Sequence, residues 1–267
     1  MFDNLVKLLR YRGLISSLVA RELKARYRGS VLGFVWSFVN PLLLLLIYTF
    51  VFTKITPMED DKTRPYAVFM FCGILPWNWF ATSLSDGAGS LIAGGNLIKK
   101  VLFPAEVLPI VSVLANMVHF FLGLVILVAF LVIYRHWPDP LDLLWFPVVV
   151  LIQLVFTTAL ALLLSALSVH FRDIRDILTN LLTLWFFATP IIYPYFQTNV
   201  QAFKPFFNIN PFTHLAISYQ EILFFHGDFF PTGHWRWLLL LGAASVPFFL
   251  ACYWVFDRLR DSFAEAV

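Results

Sequence analysis

Six stretches of this chain are apolar over about the thickness of a membrane. They cover residues 31–53, 66–88, 109–134, 144–169, 177–192 and 235–256, and more polar segments separate them. A helix needs about 20 mainly apolar residues to cross the roughly 30 Å of hydrocarbon in a bilayer. The pattern therefore predicts an all-α membrane protein with six transmembrane helices.

Composition excludes a water-soluble globular domain. Of the 267 residues, 60% are hydrophobic and only 13% are charged, which is too little polar surface for a soluble fold of this size.

Residues 1–28 are polar and basic, and they lack the apolar core and the small-residue cleavage site of a signal peptide. We therefore expect this arm to remain in the mature chain.

The positions of Lys and Arg predict the orientation of the chain. Most of the 19 basic residues fall before the first predicted span, after the last one, or between spans two and three and spans four and five. Because positively charged loops stay in the cytoplasm, and an even number of spans returns the chain to one side, both termini are expected there. The low net charge of +3 then reflects topology and indicates no nucleic-acid partner.

The arm before the first span has the pattern of a helix lying along a membrane surface. Apolar residues recur every four positions at Ile15, Val19, Leu23 and Tyr27. The charged residues of this predicted interface helix are Arg21, Glu22, Lys24, Arg26 and Arg28. Glu22 and Arg26 interrupt the apolar side and are spaced to form an ion pair. A basic amphipathic helix of this kind either anchors the chain or transmits force at the membrane surface.

Aromatic residues are concentrated in three of the predicted spans. In the first span they fall in one narrow sector that also contains Pro41, which is expected to kink the helix. Sugars stack their C–H faces on aromatic rings, so such residues can line a path for a glycan. The candidate path residues are Phe34, Phe38, Tyr48, Phe52, Trp77, Trp79, Phe80, Trp185 and Phe186. The alternative is ordinary interfacial or lipid-facing packing.

Few polar groups lie inside the predicted spans. Asn116 and His119 share one side of the third span, and Gln153 lies in the fourth, where amides usually join helices. Asp86, near the end of the second span, is the exception among otherwise uncharged span interiors. Ion-coupled transporters commonly place ionisable groups near the midplane, so this pattern disfavours transport driven by an ion gradient.

The sequence offers no catalytic or metal-binding constellation. The acidic residues outside the spans form no pair with catalytic spacing, and Cys72 and Cys252 lack disulfide or metal-ligand spacing. No G-x-x-x-x-G-K-[ST] motif occurs, so the backbone nest and lysine that hold nucleotide phosphates are missing from the sequence. We therefore expect a transport subunit rather than an enzyme, with no metal and no cofactor in this chain.

Two connecting segments predict local structure of their own. A short helix that ends at Pro104 is expected from Leu97, Ile98, Lys99, Lys100, Val101, Leu102 and Phe103. It is either a docking peg for a partner or a positively charged turn. Residues 193–234 are too many for a simple turn and too apolar for a solvated loop. We expect a pair of re-entrant helices there, the second near residues 212–225.

Four stretches, taken in order, carry a family resemblance. They are "ARYRGSVLGFVWSFVNPLLLLLIYTFVF", "LIKKVLFPAEVLP", "HFRDIRD" and "NINPFTHLAISYQEILF". Together they resemble the membrane subunit of type-2 ABC exporters for polysaccharides, most nearly the O-antigen permeases called Wzm, with teichoic-acid and capsule permeases related. The resemblance covers essentially the whole chain.

The resemblance implies a single transmembrane domain over residues 1–267 and a homodimer around a central conduit. Two copies of a separate ATPase subunit would bind ATP and Mg and press on an interface helix in residues 1–28 and a coupling helix at residues 97–103. The expected substrate is a lipid-linked polysaccharide crossing the bacterial inner membrane. The alternatives are an exporter of drugs or plain lipids with the same architecture and, more distantly, an intramembrane transferase of polyprenyl-linked sugars.

Overall fold

All regular secondary structure described for this chain is helical, as the sequence predicts. The computed structural model describes residues 11–30, 32–55, 61–100, 103–171, 173–225, 227, 229 and 232–266. The α-helices among them are α1 (Arg12–Arg26), α2 (Trp36–Phe50), α3 (Tyr66–Ala93), α4 (Gly95–Lys100), α5 (Val107–Ile133), α6 (Pro140–Leu143), α7 (Phe146–His170), α8 (Ile174–Phe187), α9 (Thr198–Gln201), α10 (Lys204–Ile209), α11 (Pro211–Leu223) and α12 (Trp235–Ala266).

Five stretches of the described chain are long and apolar enough to cross a membrane. They are Gly33–Phe50, Tyr66–Ala93, Val107–Ile133, Pro140–His170 and Trp235–Phe263, which match the predicted spans one, two, three, four and six. The predicted fifth span coincides with α8, whose 14 residues extend only about 21 Å. Pro190 follows within three residues of its end and has no N–H with which to continue the helix. The count of six spans is therefore not confirmed.

The helix α3 forms the centre of the bundle, and α2 lies at its edge. Within the most apolar 18 residues of each stretch, 83% of those in α3 are buried inside the protein, but only 11% of those in the stretch that contains α2. The long helices α5 and α7 pack against α3, and α7 also packs against α12. Pro41 lies inside α2 as predicted, and a 3₁₀ turn (Gly33–Val35) precedes this helix.

Small residues and one buried amide hold the central helices close together. A Cβ atom added to Gly87 of α3 would lie 3.0 Å from the Cβ of Ala161 of α7, so the two backbones approach closely there. In the same pair of helices, the buried Gln153 donates a hydrogen bond of 2.8 Å from Nε2 to the carbonyl of Pro76. Gln153 thus joins two helices, which is the role that its position in a span predicts.

The segment that precedes α12 contains the second predicted re-entrant helix. It is found as α11, and every residue from Phe212 to Leu223 is buried. Asn210 caps this helix by accepting a hydrogen bond of 3.0 Å from the Phe212 N–H. The same Asn210 oxygen accepts from Trp185 Nε1 over 2.7 Å, so the end of α8 is joined to the start of α11. Since protein surrounds α11, its polar groups can be satisfied away from lipid.

Candidate functional site

The predicted interface helix is found as α1, and it packs against the beginning of α5. Leu18 is buried against Val107 and Val111, with Ile15 and Val19 half-buried beside it. The contact surface is therefore centred on Leu18, which does not belong to the predicted row of every fourth residue. The row predicts a helix that lies on a membrane surface, whereas α1 packs on another helix. The charged residues Arg21, Glu22, Lys24 and Arg28 are exposed.

Arg26 joins α1 to two helices of the bundle. Its Nη2 atom lies 2.9 Å from Asp86 Oδ2 of α3, and its Nη1 atom donates to Asn116 Oδ1 of α5 over 2.9 Å. Asn116 Nδ2 donates to the same Asp86 oxygen over 2.8 Å, which closes a ring of three polar side chains. This ring replaces the predicted ion pair with Glu22. An exposed pair within one helix is worth only about 0.2–0.5 kcal/mol, less than a bond that satisfies a buried amide.

Tyr27 makes a second bridge beside the first. Its hydroxyl lies 2.6 Å from His119 Nε2 of α5, and Ser37 Oγ of α2 donates to the same hydroxyl over 2.6 Å. His119 Nδ1 lies 3.0 Å from the Ala115 carbonyl, so its proton is best placed on Nδ1 and Nε2 accepts from Tyr27. The two bridges together connect α1 to α2, α3 and α5. Ser37 gave no signal in the sequence, because one hydroxyl in an apolar run does not indicate its partner.

The predicted coupling helix begins two residues earlier than expected and turns its apolar side inward. It runs from Gly95 to Lys100, and Leu97 and Ile98 pack against a buried cluster that includes Tyr253 and Phe256 of α12. Asn96 and Lys99 are exposed on the opposite side. The surface that α4 offers is therefore polar rather than apolar. Val101, Leu102 and the side chain of Lys100 lie outside the described residues.

Phe103 connects the α4 region with α1. Its partly buried ring packs against the cluster that holds Leu97 and Ile98, and also against the cluster formed by Leu18 and Val107. One side chain thus contacts the packing surfaces of both predicted coupling elements. A cavity of about 440 Å³ lies between α1, α3, α4 and α5, and the charged groups that line it are Arg21, Glu22, Asp86 and Arg175.

Three of the predicted path residues line one groove between α2, α3 and α8. Tyr48, Trp77 and Phe186 border this groove of about 410 Å³, together with the polar side chains of Asn78 and Thr183. The groove therefore combines aromatic faces with an amide and a hydroxyl. Such a lining suits a ligand that has both C–H faces and hydroxyl groups, as sugars do.

Four path residues belong to a single ring cluster. The ring of Trp77 lies 5.7 Å from that of Phe186 and 6.4 Å from that of Trp185, and Phe80 lies 5.2 Å from Trp185. Phe212 of α11 completes the cluster, 4.9 Å from Trp77 and 4.8 Å from Phe80. Phe80 is fully buried and Trp77 nearly so, which means that these rings also hold α3, α8 and α11 together.

The remaining path residues lie elsewhere. Trp79 points to α5, where it stacks on Phe120 at 5.1 Å and its indole N–H donates to the Val113 carbonyl. Phe34 is about half exposed and meets Phe38 edge-to-face at 6.1 Å, near Tyr27. The side chain of Phe52 lies outside the described residues. The proposed path along these nine residues stays a prediction.

Comparison with known proteins places this arrangement in a family. A profile of the family described as "ABC-2 type transporter" matches residues 13–224, which include both bridges of α1, the short helix α4 and the aromatic groove. The chain is 44% identical over 264 residues to the O-antigen export system permease protein RfbA of Myxococcus xanthus, covering 98% of each chain.

Two further relatives are more distant. A protein of Klebsiella pneumoniae with the same description is 30% identical over 253 residues, which is 94% of each chain. The capsule polysaccharide export inner-membrane protein CtrC of Neisseria meningitidis is 26% identical over 172 residues, which is 63% of each chain. The family profile and the full-length relatives agree with the helical membrane fold, and the chain belongs to the ABC-2 type transporter family.

Proposed function

We propose that this chain is the permease subunit of an ATP-driven exporter, which moves an O-antigen-like, lipid-linked polysaccharide across the bacterial inner membrane. The observation that carries the proposal is the 44% identity, over 98% of both chains, to a protein described as an O-antigen export system permease. Because the match runs along the full length, it includes α1, α4, the aromatic groove and α11. Both termini would lie in the cytoplasm, as the distribution of basic residues predicts.

A separate ATPase would supply the energy, two copies of it binding ATP and Mg below two copies of this chain. Support comes from the surface at the end of the bundle that carries α1 and α4. There α4 is held by Leu97 and Ile98 and exposes Asn96 and Lys99. Alongside it α1 exposes basic side chains, so a partner would meet a polar surface.

The contacts of this region suggest how a push would travel. Force applied to α4 would reach α1 through Phe103, which packs against both clusters. From α1 it would pass through Arg26 to α3 and α5, and through Tyr27 to α2 and α5. Packed side chains and hydrogen bonds with two discrete arrangements are the physical means by which distant elements are coupled.

A homodimer around a conduit would cover the faces that a single copy leaves bare. In α2 only Ser37 and Leu45 are buried, and in α8 only Leu178 and Leu182. The groove with Tyr48, Trp77 and Phe186 opens between these two helices. A second copy packed against them would turn the groove into part of an enclosed wall along which sugar rings could slide.

Export of a capsule polysaccharide is the second candidate. It is favoured by the similarity to CtrC, which is described as a capsule polysaccharide export protein. That similarity is lower and covers 63% of each chain, so we rank it below O-antigen export. Both candidate functions are the export of a long glycan, and they differ in the chemistry of that glycan.

The test is reconstitution of this chain with its ATPase in liposomes loaded with lipid-linked glycan from the source strain. Appearance of the glycan outside is measured with a lectin that cannot cross the membrane. We expect export to require ATP and both subunits. Combined alanine replacement of Tyr48 and Phe186, two rings that line the groove, should slow export about tenfold, while Trp254→Ala, an exposed aromatic of α12, should leave it unchanged.

The alternatives predict different results in the same assay. Movement of the glycan by this chain alone would contradict the proposal, and covalent transfer of the sugar would support the transferase reading. Translocation of a phospholipid or a drug without any glycan would place the chain among exporters of those substrates. Normal export by the variant that lacks the rings of Tyr48 and Phe186 would reject the aromatic wall but not the export function.

A further inference from the structure

A cavity of about 730 Å³ lies at the end of the bundle opposite to α1 and α4. It is formed by the segment after α2, the end of α5, the helices α9 to α11 and the start of α12. The side chains that line it include Phe196, Gln220, Glu221, Phe225, His234 and Trp237. Its volume falls in the range of sites for small ligands, about 300–1,000 Å³.

Aromatic rings form part of the wall of this cavity. Trp237 and Phe196 are each 41% exposed. The Trp237 ring is held flat against that of His214, with 5.1 Å between centroids and 1° between planes. Phe196 packs edge-to-face against Phe225 at 5.9 Å. An indole fixed in this way presents an apolar face on which a sugar ring can stack without further ordering.

Polar side chains reach the same cavity from buried positions. Gln220, Glu221 and His234 are 2%, 6% and 8% exposed. The Nε2 atom of His234 is buried and has no hydrogen-bond partner within the described residues. A buried polar atom without a partner costs free energy, so a ligand that bonds to it recovers part of that cost.

His234 would meet such a ligand as a neutral imidazole. Burial is the main cause that lowers the pKa of His234 to about 3, and the charge of the neighbouring His214, 5.4 Å away between ring centroids, acts in the same direction. A neutral imidazole has one donor and one acceptor nitrogen, and a carboxylate such as Glu221 accepts only. Hydroxyl groups can serve as both donor and acceptor, so they match this set. Lys62 and Lys204 also line the cavity and would attract an anion, so a phosphorylated ligand is the alternative to a sugar.

We propose that this cavity is a sugar-binding subsite, which holds a short stretch of the exported polysaccharide by stacking on Trp237 and by hydrogen bonds to Glu221 and His234. The source of the sugar rests on the proposed function. A polysaccharide that leaves the groove between α2, α3 and α8 would be retained here at the far end of the permease. The subsite would therefore disfavour backward movement between ATPase cycles.

The test uses the complete permease–ATPase complex in lipid nanodiscs. The probe is polysaccharide released by mild acid from the lipopolysaccharide of the source strain, and its affinity is measured by isothermal titration calorimetry. Trp237→Ala and the isosteric Glu221→Gln should each weaken binding about tenfold, in line with loss of one stacked ring or one good hydrogen bond. Trp137→Ala is the matched control, since Trp137 is exposed and does not line the cavity.

Export by the same wild-type preparation separates the two proposals. If the wild type exports glycan but binds no free polysaccharide, or if both cavity variants bind as the wild type does, the subsite is wrong and the function stands. If the wild type neither exports nor binds glycan, both proposals fail. Binding of glycerol 1-phosphate to the wild-type complex, without binding of the polysaccharide, would assign the cavity to a lipid headgroup and overturn the sugar subsite.

Discussion

Replacing Asp86 by alanine is expected to destabilise the folded chain by about 2–3 kcal/mol. The ion pair with Arg26 supplies little of this, about 0–1 kcal/mol, because the two side chains are 42% and 31% exposed. The larger part comes from Asn116, whose amide is buried and donates to the charged oxygen over 2.8 Å. A hydrogen bond to a charged group is worth about 1.5–3 kcal/mol, and its loss leaves a buried donor with a weaker set of partners.

A double-mutant cycle isolates the polar ring from other effects of each replacement. Arg26→Ala removes the ion pair and one bond to Asn116, for an expected cost of about 1–2 kcal/mol. Since both replacements act on Asn116, the double variant should cost about 0.5–1 kcal/mol less than the sum of the single variants. Equilibrium unfolding in mixed micelles, followed by tryptophan fluorescence, measures all four proteins. Arg28→Ala replaces an exposed arginine two residues after Arg26 in sequence, and it is the control, which should stay within about 0.5 kcal/mol of the wild type.

Two results would refute this reasoning. Single variants that unfold like the Arg28→Ala control would mean that the ring contributes nothing. Fully additive costs would mean that Arg26 and Asp86 act independently despite the 2.9 Å between them. If the ring also transmits force, the Asp86→Ala complex should still hydrolyse ATP but should export less glycan per ATP consumed.

Four further outcomes are expected. Tyr27→Phe should cost about 1–2 kcal/mol in the same unfolding assay, because two hydrogen bonds lose their shared hydroxyl. Gly87→Val should destabilise by about 1–3 kcal/mol through overpacking, whereas Gly13→Ala, with nothing within 4 Å, should not destabilise. The pKa of His234 is about 3 in the folded chain and 6.5 in the unfolded chain, so unfolding takes up a proton when the pH lies between these two values. Stability should be full above about pH 6.5 and fall below it by up to about 1.4 kcal/mol per pH unit, and His234→Gln should flatten this slope. Lys99→Glu should reduce co-purification with the ATPase, because Lys99 is exposed on the side of α4 that the partner is proposed to meet.

The helices could be predicted because their signal is local. Long apolar runs predicted the positions of α2, α3, α5 and α7 to within about five residues, and the start of α12, which continues ten residues beyond its predicted span. Repeated prolines with an apolar loop indicated α11. The shortness of α8 was not predicted, although Pro190 lies at the end of the predicted span. Hydropathy registers how apolar a segment is, and the end of a helix depends on backbone hydrogen bonds that a proline cannot make.

Partners across the fold could not be predicted in the same way. Arg26 has Glu22 four residues away in sequence, but it bonds to Asp86, which is 60 residues away. Trp77 and Trp79 are two residues apart and were grouped as path residues, yet they face different helices. A helical wheel assigns each residue to a face, and only packing decides which neighbour covers that face. Asn116 and Gln153 join helices, as expected of amides in a span, but the sequence does not indicate which helices they join.

The uneven burial of the bundle argues for where motion occurs. Moving α3 would break buried contacts along its whole length, since it packs against α5, α7 and α11. Moving α2 or α8 would break few, because each buries only two residues within the protomer. Interiors packed to high density resist small deformations. A push delivered through α1 therefore costs the least free energy when it moves these two outer helices. They are also the helices that border the aromatic groove, so the least costly movement would be the one that widens or narrows the groove proposed to guide the glycan.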